Sequence, residues 1–202
     1  MLRRESPCKV NLLLNILGRR ADGYHDLETL FIPVPLTDGL SFELNPGALA
    51  EVELTCSEPS LPIDATNLVH RAATRFMATA GLKNSRVRIH LEKRLPLSAG
   101  LGAGSANAAH TLLALNELFG SPLAGDQLDR LAAALGSDVN FFLQERPALA
   151  TGRGEVVASL PPFAVPGCSC TTLDSGCRPP GLSRRCNNSR RLSTGGPDGR
   201  RN

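Results

Sequence analysis

The run "RVRIHLEKRLPLSAGLGAGSANAAHTLLALNELFG", Arg86–Gly120, changes its hydrophobic period half-way along. Val87, Ile89 and Leu91 alternate with Arg88, His90 and Glu92, the pattern of a half-exposed strand. Ala108, Leu112, Leu115 and Phe119 then form one helical stripe that Gly120 closes. Between the two, Gly100, Gly102 and Gly104 fall within five positions. The fold is therefore built around a strand, a glycine loop and a helix.

Two familiar phosphate loops fail on this stretch. A Walker loop needs Lys and Ser/Thr after its last glycine, whereas Gly104 is followed by Ser105 and Ala106. The dinucleotide fingerprint puts its third small residue on Ser105 or Asn107, according to which glycine pair opens it. The underlying physics survives: glycines let backbone N–H groups turn toward an anion, and the following helix offers free amides and the positive end of its dipole. Ser105 and Asn107 add side-chain donors. A tight turn whose glycines only relieve packing remains open as the bland alternative.

Working outward, Val10–Leu17 alternates with apolar residues on both faces, which predicts a well-covered first strand, and "GRRADGYH" reads as a turn. Further strands are expected at Asp26–Ile32, Leu40–Leu44 and Glu51–Thr55, separated by Pro- and Gly-bearing loops. Asn67–Ala80 carries Leu68, Ala72, Phe76 and Ala80 at helical spacing and stops at Gly81; another helix with Leu128, Leu131 and Leu135 stops at Gly136. Strands, helix, strand, glycine loop, helix, helix is an α+β order.

Composition bounds the rest. The chain has 202 residues, 42% of them hydrophobic, enough for a real core. Asn11 and Asn15 interrupt the N-terminal apolar run and no small-residue cleavage site follows, so no export signal or membrane partner is expected and the cytoplasm is the default compartment. From Pro166 on, seven arginines face two aspartates, a surplus larger than the whole chain's +3, so residues 1–165 are mildly acidic and show no nucleic-acid footprint. Those last 37 residues hold no Val, Ile, Phe, Met or Ala, which predicts a folded domain over 1–165 and a disordered Arg/Ser/Gly/Cys-rich tail over 166–202. Cys168, Cys170, Cys177 and Cys186 lack paired knuckle spacing and a nearby histidine, so no metal site is expected; Cys8 and Cys56 read as reduced thiols.

Two residues outside the loop carry chemistry. Lys9 lies on the first strand, where a cation can neutralise charge on a transferred phosphoryl group, and Asn11 shares its face. Asp138 follows a helix end in "LGSDVNFF", where a carboxylate beside apolar neighbours can act as a general base. Each has a dull alternative, as a surface charge or a helix cap.

In order along the chain, "PCKVNLLLNILGRRADGYHDLETLF", "NLVHRAA", "KRLPLSAGLGAGSANAA", "LGSDVNFFL" and "ATGRGEVV" resemble the GHMP kinases, and within them the branch whose substrate is 4-diphosphocytidyl-2-C-methyl-D-erythritol. The match runs from Ser6 to about Phe163. It implies the GHMP N-terminal domain, of the ribosomal protein S5 domain 2-like fold, and ATP-dependent phosphorylation of that substrate's 2-hydroxyl in non-mevalonate isoprenoid synthesis. Carried over by position, Asp138 takes the hydroxyl proton and Lys9 orients the hydroxyl or stabilises charge. Asn11, Tyr24 and His25 lie on the substrate side, the last two flanking the cytidine. Pro96, Leu97, Ser98, Ala99, Gly100, Leu101, Gly102, Ala103, Gly104, Ser105, Ala106 and Asn107 cradle the ATP phosphates, with Asn67 and Lys93 along the nucleotide. Mg2+ accompanies ATP, with Ser105 as its candidate ligand.

The sequence departs from the family pattern at named places. Ala103 replaces the middle Gly of three, which costs about 1–2 kcal/mol if that position needs a positive φ. Ala106 replaces a Ser that would donate to phosphate, and Asn140 replaces a Pro, loosening the segment that aims Asp138. The family's second, ferredoxin-like domain has no counterpart, and the tail resembles out-of-frame translation of a GC-rich reading frame. A non-catalytic nucleotide-binding fragment, or an interaction module using an uncovered apolar face, are therefore the competing functions.

Overall fold

The computed structural model describes residues 1–161; the expected tail over 166–202 and its four cysteines lie outside the described residues. Strands β1 (Leu2–Arg19), β2 (His25–Pro46) and β3 (Glu51–Cys56) come first. Helix α1 (Leu68–Thr79), strand β4 (Ser85–Glu92) and helices α2 (Ala103–Leu118) and α3 (Gly125–Leu135) follow, then a 3-10 turn over Asn140–Leu143 and strands β5 (Ala148–Gly152) and β6 (Val156–Ser159). The sheet runs β3-β4-β2-β5-β6, with β1 on the other edge of β2. Only β3 and β4 are parallel, and α1 supplies the crossover such a pair needs. The α+β expectation is met.

Strand alternation decides which side the helices cover. Val87, Ile89 and Leu91 are buried while Arg88, His90 and Glu92 stand outside. On the outer side Arg86 and Arg88 pair with Glu53 across the parallel ladder. On the inner side Phe42, Ile89, Phe76, Leu112 and Leu115 belong to one core. Helix α1 buries Val69, Ala72, Ala73, Phe76 and Met77, and α2 is buried nearly all round, which makes it the centre of the domain.

Two strand expectations are corrected. Asp26–Ile32 and Leu40–Leu44 are parts of one 22-residue strand, because β1 pairs with it along almost its whole length and carries it through the Pro- and Gly-bearing segment. The first strand is not well covered: Asn11–Arg19 is exposed throughout, with Ile16 at 55% and Leu17 at 66%. Beyond the expected elements, "ATGRGEVV" forms the β5–β6 hairpin.

Candidate active site

The glycine loop leaves β4 at Lys93 and enters α2 at Ala103. Gly102 caps α2 with φ +69°, Gly100 has φ +73° and Ser98 φ +56°, so the loop alternates through the left-handed region before the helix begins. Ala103 is not among the positive-φ residues; it is the first helical residue, and the strain raised for this departure does not arise. Gly104, also helical, needs no glycine for its conformation.

A cleft of about 410 Å³ opens beside this loop. Pro96, Leu97, Ser98, Ala99, Gly100, Leu101, Gly102, Ala103, Gly104, Ser105 and Asn107 line it from the loop side, and Asn67 and Lys93 line it as well. Ala106 does not: it is fully buried on the core side of α2. The side chain of Asn67 is committed to structure, its Oδ1 capping α1 from Val69 N–H at 2.9 Å and its Nδ2 donating to Pro62 O at 2.8 Å. Lys93 reaches inward and donates through Nζ to Asp38 Oδ2 at 2.6 Å. Asn107 Nδ2 donates to the same carboxylate oxygen at 3.0 Å.

The Lys9–Asp138 pair touches the loop at Gly102. A Cβ placed on Gly102 would lie 3.0 Å from Lys9 Cε and 3.0 Å from Phe142 Cζ, so only glycine lets the loop settle on the lysine stem. Lys9 N–H also donates to Leu101 O at 2.9 Å. The Lys9 side chain is buried, with Nζ 2.6 Å from Asn11 Oδ1, 3.4 Å from Asp138 Oδ2 and 4.8 Å above the Phe31 ring. Asn11 Nδ2 donates to Thr29 Oγ1 at 2.8 Å, and Thr29 donates on to Leu13 O at 2.8 Å. This relay fixes where the ammonium points. Asp138 is partly open, its side chain 31% exposed.

Asn140 does not loosen this segment. Its Nδ2 donates to Asp129 O at 3.0 Å and ties the 3-10 turn to α3, while Phe141 and Phe142 anchor the turn in the core. A hydrogen bond replaces the rigidity that proline would give.

Tyr24 and His25 lie at the tip of the β1–β2 hairpin, where Arg20 N–H donates to Tyr24 O at 2.8 Å. Tyr24 is 58% exposed and the Arg153 guanidinium sits 5.1 Å from its ring centroid. A Cβ on Gly154 would lie 3.7 Å from Asp138 Oδ1. The β5–β6 turn thus spans from the hairpin tip to Asp138.

Residues 67–145 match the family model of the GHMP kinases' N terminal domain. Those residues carry a GHMP kinase N-terminal domain. The chain is 45% identical over 163 residues to 4-diphosphocytidyl-2-C-methyl-D-erythritol kinase of Protochlamydia amoebophila (strain UWE25), covering 81% of this chain and 55% of that protein. It is 41% identical over 161 residues to the chloroplastic enzyme of that name in Arabidopsis thaliana, covering 80% of this chain and 42% of the relative. A crystal structure of 4-(cytidine 5'-diphospho)-2C-methyl-D-erythritol kinase superposes with TM-score 0.66 at 43% identity, over 79% of this chain and 55% of that one. The chain spans about half the length of the relatives it matches.

Sequence reasoning overlooked three polar residues around the site: Thr29, Arg153 and Asp38. Thr29 is one polar residue among several in β2 and gives no local signal of its own. Arg153 lay inside a recognised block but had no role until the hairpin placed it over Tyr24. Among the described residues no helix is long and apolar enough to cross a membrane, and no cluster of three or more His, Cys, Asp or Glu side chains is arranged to hold a metal.

Proposed function

We propose that this domain binds ATP in the cleft beside Pro96–Ser105 and phosphorylates the 2-hydroxyl of a diphosphocytidyl methylerythritol at Lys9 and Asp138. The observation that carries this reading is the convergence at Gly102, whose one side lines the cleft while Lys9 packs against it and reaches Asp138 at 3.4 Å. In the proposed step the substrate oxygen attacks the γ-phosphorus and the bond from that phosphorus to the ADP oxygen breaks. The hydroxyl proton passes to Asp138, while the Lys9 ammonium offsets charge on the transferred group. Tyr24 offers the nucleoside an aromatic face, and Arg153 beside it places a cation for the diphosphate.

Ser105 fits Mg2+, since its hydroxyl lines the cleft with no partner among the described residues and supplies the hard oxygen this ion prefers alongside phosphates and water. The ion, when bound, would neutralise charge on the phosphates. Both co-substrates are polar anions of an aqueous compartment, for which the cytoplasm is retained.

Asp138→Ala tests the reading. Nucleotide binding should persist, while turnover should fall by on the order of 10²–10⁴, the contribution of a positioned base. Turnover unchanged in Asp138→Ala, or a wild type that does not bind ATP, would overturn it. One observation favours a second reading, nucleotide binding without turnover: Leu12, Leu14, Ile16 and Leu17 stand in solvent on the strand that carries Lys9, although their alternation is that of a covered strand. ATP binding with no phosphorylation, in both wild type and variant, would support it.

A further inference from the structure

A fully buried carboxylate lies beneath the cleft and takes part in no step above. Asp38 sits in β2, and its two oxygens receive four hydrogen bonds. Oδ1 accepts from Arg94 N–H and Leu95 N–H, both at 2.8 Å. Oδ2 accepts from Lys93 Nζ at 2.6 Å and Asn107 Nδ2 at 3.0 Å. Burial pushes this carboxyl up, and the bonds from Lys93, the two backbone amides and Asn107 more than offset it, holding the group below the usual carboxylate range. It is an anion with its hydrogen-bonding capacity filled.

The donors come from both ends of the phosphate loop. Lys93, Arg94 and Leu95 are the residues that lead into Pro96, and Asn107 lies on α2 just after the loop has become helix. Between these anchors the chain passes through left-handed conformations at Ser98, Gly100 and Gly102. The glycines adopt it freely, but a left-handed serine persists only when its surroundings over-determine it. The Lys9 N–H bond to Leu101 O fixes the far side of the loop, and Asp38 fixes entry and exit to a single point.

Charge fits the same role. A bare carboxylate under a phosphate site would repel the ligand, but Lys93 lies against Asp38 with its side chain only 6% exposed. The ammonium of Lys93 is thus committed to Asp38, although the residue also lines the cleft.

We infer that Asp38 is a positioning residue that clamps both ends of the glycine loop and so holds it in the shape that receives the nucleotide's phosphates. This rests on reading the cleft as a nucleotide site. The probes are ATP and adenosine, titrated into the 202-residue chain and its Asp38→Asn variant, with amide exchange read by mass spectrometry on both proteins. Asp38→Asn keeps an acceptor for the two backbone amides but removes the charge and sets an amide against Lys93 and Asn107.

The expected result is ATP affinity lowered tenfold or more and adenosine affinity changed less than twofold. Exchange over residues 96–102 should quicken at least tenfold while β4 keeps its protection. A merely structural Asp38 would quicken exchange across the whole domain, or weaken ATP and adenosine alike, and either outcome overturns the inference. If the wild type binds no ATP, the nucleotide reading falls by itself, and exchange alone decides whether the clamp exists: unchanged loop exchange overturns it, and selective loop exchange sustains it. Should Asp38→Asn not fold, Asn107→Ala, which cuts the helix end of the clamp, is read by loop exchange alone, because Asn107 also lines the cleft: selective quickening over the loop sustains the clamp, and unchanged loop exchange overturns it.

Discussion

Replacing Gly102 by Ala separates a strained loop from one packed on Lys9. At φ +69° an alanine costs about 1–2 kcal/mol from backbone sterics alone. Its Cβ would also sit 3.0 Å from Lys9 Cε and Phe142 Cζ and 3.1 Å from Lys9 Cγ. Phe142 is fully buried and cannot yield, so the lysine stem must, and overpacking of this kind costs about 1–3 kcal/mol more. Gly100→Ala is the matched control, because φ is +73° and nothing lies within 4 Å of its Cβ. For a domain of this size 1 kcal/mol shifts Tm by about 2–4 °C, so Gly100→Ala should lower Tm by about 2–8 °C and Gly102→Ala by about 4–20 °C. Gly104→Ala should raise it slightly, since the position is helical and the new methyl meets Leu68 Cδ1 at an ordinary 3.8 Å. Turnover should separate the variants further: displacing Lys9 by about 1 Å costs on the order of 10²-fold, and only Gly102→Ala displaces it. Melting curves and initial rates on the three proteins check this. Equal losses in Gly100→Ala and Gly102→Ala would refute the claim that the loop rests on Lys9.

His110 is 2% exposed on α2, and burial, with Arg4 adding to it, holds its imidazolium down at about 4 against an ordinary 6.5. Glu145 lies 3.3 Å from it but is half exposed, so solvent screens its attraction. Between those two values the unfolded chain takes up a proton that the folded one refuses, so stability should fall by about 3 kcal/mol as pH drops through the window. Urea unfolding at pH 7 and pH 4.5 should show this slope in the wild type and its loss in His110→Gln. Ser98→Gly relieves a left-handed serine at φ +56°, partly offset by the greater freedom of glycine in the unfolded chain, and should raise the free energy of unfolding from urea titration by up to about 1 kcal/mol. Leu14→Lys with Ile16→Lys, both on the exposed arm of β1, should reduce concentration-dependent light scattering while changing stability by less than about 0.5 kcal/mol per site.

Legibility followed the range of the physics. The β4–loop–α2 unit could be read because its signals are local: alternation in Val87–Leu91, glycine at φ-demanding positions and a helix period from Ala108 onward. Strand β2 could not, because what carries it through "IPVPLTDGL" is pairing with β1, a partner up to 40 residues away, and local turn chemistry argued for a break. Asp38 was hidden for the same reason, since Lys93 and Asn107 lie 55 and 69 residues from it. The arm of β1 misled in the opposite direction: alternation of Leu12, Leu14 and Ile16 reports what the strand is suited to bury, and the described residues offer nothing to bury it against.

The two lysines that sequence placed at the site show why residue type alone cannot assign a role. Each is paired with an aspartate, and the glycine loop runs between the pairs. Lys93 and Asp38 are 2.6 Å apart, and the carboxylate is fully buried and accepts four hydrogen bonds. Protonating it would break contacts at both ends of the loop, so this pair can hold shape but cannot exchange a proton. Lys9 and Asp138 are 3.4 Å apart, and Asp138 is partly open to solvent and makes no hydrogen bond among the described residues. Its lone pairs are available to an incoming hydroxyl, and its lysine is aimed by Asn11 and Thr29 instead of being consumed by the carboxylate. Burial and hydrogen-bond saturation, not the Lys–Asp pairing itself, separate the two: in the proposed function one pair sets the cradle, and the other is left free to act on what lies in it.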